Sequence, residues 1–151
     1  MNIANKVSFF NTTSSKCLTV HNYGIRVWDL DLVQKKVQYT EILTAQLKRI
    51  YSCCVIDPMD TYAYLGTSTG DLVEISLTNR NFKRVGPNKR LFSQGVVSLK
   101  LLQNGDMLVG AGDGTIAKVG TMDFNVKKKA KVMGAVTSLS LTADSTHFFC
   151  G

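Results

Sequence analysis

The sequence predicts an all-β chain that forms part of a β-propeller, with about three four-stranded blades plus half of a fourth. Three observations carry this. Related segments recur about every 40 to 46 residues: Tyr64 to Ile75 lies over Leu108 to Val119, and His21 to Asp29 is an earlier copy. Gly66, Gly110 and Gly151 hold one position in successive copies, spaced 44 and 41 residues apart. The segments between turns are short, apolar and rich in β-branched residues, as strands are and amphipathic helices are not.

Each copy reads as four strands, a to d. In the first copy these are Val7 to Phe10, Cys17 to Val20, Ile25 to Leu30 and Val37 to Ile42. In the second, Ile50 to Ile56 is followed by the turn Asp57-Pro58-Met59-Asp60, then Tyr62 to Thr67, Leu72 to Leu77 and Phe82 to Val85. The third has Val96 to Leu102, Met107 to Ala111, Thr115 to Val119 and about Val126 to Val132. Its turns, Gln103-Asn104-Gly105-Asp106 and Asp113-Gly114, use residues that tolerate positive φ. The blades therefore span approximately 6–43, 49–86 and 95–133, with a half-blade at 135–151. Asp113, Gly66 and Gly110 read as structural positions in these turns and strands. Trp28 is expected to lie largely buried on the inward face of strand c, anchoring neighbouring blades.

Propellers close as rings of four to eight blades, so this segment is expected to need further sequence or another chain to complete its ring. The half-blade leaves Leu141, Phe148 and Phe149 with an unpaired strand edge, and the chain expressed alone is expected to aggregate or unfold broadly.

The hydrophobic fraction of 44% fits a folded domain, and no apolar run approaches the ~20 residues of a membrane span. The first residues lack the layout of a secretory signal. Cys17, Cys53, Cys54 and Cys150 have no metal-ligand spacing and read as buried free thiols of an intracellular protein. His21 and His147 have no Cys or His at ligand spacing, and Asp113-Gly114 lacks the Lys-Ser of a phosphate loop. The expectation is a non-enzymatic protein without cofactor or metal.

The net charge of +7 is unevenly placed. Of the 18 basic residues, 13 fall in segments 35–49, 80–90 and 127–131, where only Glu41 is acidic. On the propeller reading these lie on the rim and on the strand d to strand a face, with Lys48-Arg49 and Lys89-Arg90 at equivalent places. Asp57, Asp60, Asp106 and Asp144 fall in strand a to strand b turns at the opposite end. Lys127, Lys128 and Lys129 sit on an outermost strand, where lysines discourage strand addition. All seven basic residues are also candidates for binding an acidic partner. Nucleic acid is disfavoured, because no aromatic lies beside the lysine run to stack a base.

Ile25-Arg26-Val27-Trp28-Asp29 resembles the strand c of WD40 repeats, and Asp113-Gly114-Thr115-Ile116 resembles their strand b to strand c turn. Only one copy keeps Trp, and Ile75 and Val119 stand in its place elsewhere. A narrower resemblance covers roughly Gly24 to Gly151. The peptides Gln46 to Ile50, Tyr64 to Asp71, Phe92 to Val96 and Gly105 to Gly112 look like the cilia- and flagella-associated protein 52 family of axonemal WD-repeat proteins. That resemblance implies the later blades of the first of two tandem seven-bladed propellers. It also implies a structural role in the cytoskeleton of the cilium or flagellum, inside doublet microtubules, with tubulin and other axonemal proteins as partners. The second reading is a soluble WD40 adaptor that binds acidic peptides or proteins.

Overall fold

The computed structural model describes residues 3–89 and 91–151 and contains only strands and turns among them. Blade one is β1 (Ala4–Phe9), β2 (Lys16–His21), β3 (Ile25–Asp31) and β4 (Lys36–Glu41). Blade two is β5 (Tyr51–Ile56), β6 (Tyr62–Thr67), β7 (Leu72–Ser76) and β8 (Asn81–Gly86). Blade three is β9 (Val96–Leu101), β10 (Asp106–Ala111), β11 (Thr115–Gly120) and β12 (Val126–Lys131). A two-stranded sheet, β13 (Leu139–Leu141) with β14 (Phe148–Cys150), follows. Every sheet runs antiparallel in sequence order, so the chain folds as the all-β partial propeller that its repeats predict.

The core lies between blades rather than within them. One apolar cluster joins blades one and two through Leu18, Val27, Leu65 and Ile75. A second joins blades two and three through Leu72, Met107, Val109 and Val119, and a third joins blade three to the half-blade through Leu108, Ile116, Val136 and Leu139. Because successive strand residues face opposite sides, a middle blade must be apolar on both. Blade two shows it: Leu72, Val73, Glu74, Ile75 and Ser76 are all buried, and adjacent Cys54 and Cys53 enter different clusters. Cys17, Cys53 and Cys54 are buried free thiols, and burial pushes Cys53 up to about 12, far from the reactive thiolate. Cys150 is exposed, against the expectation for it, because it lies on β14, whose residues are all exposed.

One feature repeats at each blade junction. The innermost strand carries a β-bulge near its start, at Asn5 in blade one, Ser52 in blade two and Val97 in blade three. Asn5 Nδ2 donates 2.8 Å to the Tyr51 carbonyl, and the Ser52 hydroxyl donates to the Val96 carbonyl. Each donor reaches the first residue of the next blade's inner strand. Beside it, Gly66 and Gly110 on the second strands receive Val96 and Val136 of the following blade. A Cβ added at Gly110 would meet Val136 Cγ1 at 2.7 Å, and one at Gly66 would clash with Val96. This close approach explains the glycine at that repeat position, since neither residue has a positive φ.

Trp28 is partly buried, less so than its counterparts in the next two blades. It lies on the face of blade one opposite to blade two, aligned with Cys17 and Tyr39. Ile75 and Val119, at the same register position, are fully buried because a preceding blade covers that face. Trp28 Nε1 donates to the Thr19 hydroxyl at 2.8 Å, Thr19 contacts His21 Nε2 at 2.7 Å, and the Tyr39 ring centroid lies 4.9 Å away.

Gly110→Ala is expected to cost about 1–3 kcal/mol, because Val136 and Leu139 must shift to admit a methyl group. Gly24, with open space around it, provides the control, and Gly24→Ala should stay within about 0.5 kcal/mol. Urea denaturation midpoints of the two variants decide it, and equal shifts would contradict the packing argument.

Candidate functional site

The basic residues singled out in the sequence separate into those consumed by the fold and those left at its surface. Arg49 belongs to the first group. Its Nε–H donates 2.8 Å to Asp71 Oδ2, and the Asp71 carboxylate is 4% exposed. The Thr67 hydroxyl also donates to Asp71, so the turn between β6 and β7 is built on this carboxylate. Lys127 is likewise committed: its Nζ lies 2.7 Å from Asp106 Oδ1, while Lys118 Nζ lies 3.2 Å from Oδ2 of the same group. Lys48, Lys89, Lys128 and Lys129 are exposed and have no ion pair among the described residues. Arg90 lies outside the described residues.

The pairs Lys48-Arg49 and Lys89-Arg90 do not occupy equivalent places. Tyr51 pairs with Thr67 and Val96 with Ala111, so Tyr51 corresponds to Val96. Counting back from those strand starts sets Lys48-Arg49 against Ser93-Gln94, whereas Lys89 falls earlier in its connection. The likeness is one of composition, and the distance to the strand start is the sequence signal that separates them.

The aspartates at the opposite end do not form a free acidic face. Asp57 Oδ1 accepts from the Thr61 and Tyr62 amides at 2.7 Å each, closing its own turn. Asp60 reaches blade one, accepting from the Asn11 and Thr12 amides and from both their side chains. Desolvation pushes the Asp60 pKa upward, but these donors outweigh it and leave the carboxyl below its ordinary value. Asp144 accepts from Thr142 and Thr146, which holds it down to about 2. Asp113 accepts from the Thr115 amide at 3.0 Å and faces Lys131 Nζ at 3.6 Å.

Arg84, which the sequence reading did not single out, ties blades two and three. It pairs with buried Glu74 in its own blade and donates to the Thr121 and Met122 carbonyls of the next. Its guanidinium also lies 4.3 Å over the Phe124 ring centroid. Between the inner strands runs a cleft of about 690 Å³, lined by Lys6, Ser8, Ser52, Ser98, Lys100 and Ser138 among others. These residues line a polar central passage and present no nucleophile–base pair. Among the described residues no cluster of three His, Cys, Asp or Glu could hold a metal.

Two tests follow from this partition. Arg49→Ala strands the buried Asp71 carboxylate and should cost about 2–3 kcal/mol, while Lys48→Ala, one residue away and exposed, should stay within about 0.5 kcal/mol. Thermal unfolding of the two variants provides the comparison. The second concerns pH. Hydrogen bonding from Lys127 lowers the Asp106 pKa below its ordinary 3.8. A depressed carboxylate pKa gives stability that is present above the unfolded value and lost as pH falls through the folded value. Acid unfolding followed by circular dichroism should therefore sharpen below about pH 4, and Asp106→Asn should remove part of that dependence.

No protein-family model matches the chain. Cilia- and flagella-associated protein 52 of Chlamydomonas reinhardtii is 37% identical over 153 residues, covering 99% of this chain and 25% of the relative. The human protein of that name is 36% identical over 148 residues, covering 98% of this chain and 24% of the relative. The Sus scrofa protein is 35% identical, covering 100% of this chain and 25% of the relative. The similarity thus extends past Gly24 into the first strands, and the chain spans about a quarter of the length of the relatives it matches. Over nearly its whole length, then, this all-β chain resembles one quarter of cilia- and flagella-associated protein 52.

Proposed function

We propose that the chain is a non-enzymatic structural WD-repeat segment of the ciliary or flagellar axoneme, one that binds tubulin and other inner proteins within doublet microtubules. The observation that carries this reading is the similarity of 35–37% over essentially the entire chain to proteins named for cilia and flagella, from an alga to mammals. The physical character of the segment supports it. Neighbouring blades are tied by side chains at several points, including Asn5, Ser52, Asp60 and Arg84, as suits a part that bears load. Lys48, Lys89, Lys128 and Lys129 remain as exposed cations for an acidic surface. The same cations favour a second reading, a soluble adaptor for acidic proteins.

Co-sedimentation of the full-length polypeptide with doublet microtubules across a salt series tests the proposal. Arg49 and Lys127 must stay intact, since reversing either would disturb an internal carboxylate. Lys48→Glu with Lys89→Glu, on the connections between blades, is expected to weaken association more than Lys128→Glu with Lys129→Glu. Wild-type binding should persist in part above about 0.1 M salt, where exposed pairs are screened over ~10 Å. An adaptor would instead be extracted fully by salt, and that result would remove the axonemal reading.

A further inference from the structure

The connections that lead from one blade to the next treat the outer strands of blades two and three differently. After β4, the chain crosses to blade two, and Leu43 bridges Asn81 in parallel fashion at the start of β8. The Leu43 amide donates 3.2 Å to the Arg80 carbonyl, and its carbonyl accepts from the Phe82 amide at 2.9 Å. Ile42, Leu47, Phe82 and Val85 fill the adjoining seam. Blade two therefore has its outer edge partly occupied by the chain itself.

On blade three no such bridge is present among the described residues. Ile42 bonds to Ile25, and Gly86 pairs with Leu72, so the two residues correspond and Pro87 stands where Leu43 does. Proline has no amide hydrogen and cannot make the donor contact to an outer strand. The side chains change in the same sense: Ala117 and Lys129 take the register places of Val73 and Val85. The result is an open groove of about 510 Å³ between residues 91–93 and the outer strand β12. Its walls include Leu91 at 50% and Val126 at 41% exposure, Ala117 lies buried at its floor, the one carboxylate in its lining, Asp113, faces Lys131 at 3.6 Å, and Lys128 and Lys129 stand at its rim without ion pairs among the described residues.

We propose that this groove binds an extended acidic segment of a partner protein, which adds to the outer edge of β12 as Leu43 adds to β8. Strand addition supplies main-chain affinity, and alternate side chains supply specificity. Apolar side chains of such a segment meet Leu91 and Val126, while its carboxylates meet Lys128 and Lys129. The lysines then have one role with two consequences. They disfavour neutral strands, which would strip water from the ammonium groups without pairing them, they repel basic ones, and they admit an acidic one. A nucleic acid satisfies the charge but not the apolar walls, and no aromatic ring lines the groove apart from Phe92, which is 7% exposed. The proposal goes beyond the ciliary reading and does not depend on it.

The test uses the full-length polypeptide with a fluorescein-labelled peptide alternating Glu and Val, read by fluorescence anisotropy at physiological salt. A Lys-Val peptide, a poly-Glu peptide and an oligothymidylate of matched length serve as competitors. The Glu-Val peptide is expected to bind, and each competitor to act at least about tenfold more weakly. Lys129→Glu should weaken binding by about tenfold or more, and Leu91→Asp, on the opposite wall, should do so independently. Both positions are exposed, so circular dichroism should be unchanged. Failure of the Glu-Val peptide to bind would overturn the proposal. So would equal competition by poly-Glu or oligothymidylate, or binding that neither variant alters. None of these results bears on association with doublets.

Discussion

A four-stranded blade with apolar residues on both faces cannot bury either of them by itself, and the contact between successive blades is what the rest of this structure depends on. That contact is set at the inner strands. A bulged polar residue, Asn5 or Ser52, donates forward to the first carbonyl of the next inner strand at the first two seams, and Gly66 or Gly110 on the second strand admits the next blade's valine at the second and third. Once the inner strands are registered in this way, alternation along every strand assigns each apolar side chain to one seam or the other. Burial of residues such as Leu65, Leu72 and Val109, each worth about 1.5–3 kcal/mol, then follows from the register.

Electrostatics follows the same logic. Buried carboxylates are tolerated only when paired or fully hydrogen-bonded, and Asp71, Glu74 and Asp106 each hold a cation at their side. The pairs of Asp71 and Asp106 stiffen a turn and a strand within a blade, whereas Arg84 and Asp60 reach across to a neighbour. The count of 18 basic residues thus overstates the cations free to meet a partner, since Arg49, Arg84, Lys118 and Lys127 are engaged inside the fold.

Strands and turns were legible in the sequence because local chemistry fixes them. Asp57-Pro58-Met59-Asp60, Asn104-Gly105 and Asp113-Gly114 can hardly be anything but turns, and the strands between them start or stop within about three residues of where the pattern puts them. The partial burial of Trp28 was not legible, because strand parity says which face a residue is on and not whether another blade covers it. The matching of Lys48-Arg49 with Lys89-Arg90 failed for a related reason: connections between blades differ in path, so similar dipeptides need not share a place. The contacts of Arg84 and Asp60 to a neighbouring blade were not foreseen because their partners lie 37 and 48 residues away, in that blade's turns. A spacing close to the repeat length is itself the available clue, as contacts between equivalent parts of adjacent blades must fall there.

The central claim is that the glycine and the following blade's valine form one packed unit that sets the register of the seam. A double-mutant cycle on Gly110→Ala and Val136→Ala in the full-length polypeptide, with unfolding free energies measured by urea denaturation, tests it most directly. Removing the Val136 methyl groups relieves the closest contact of the alanine Cβ, so the double variant should be more stable than the sum of the single losses predicts, by about 1 kcal/mol or more. Additivity within about 0.3–0.5 kcal/mol would show that the two residues act independently and that the seam is held elsewhere.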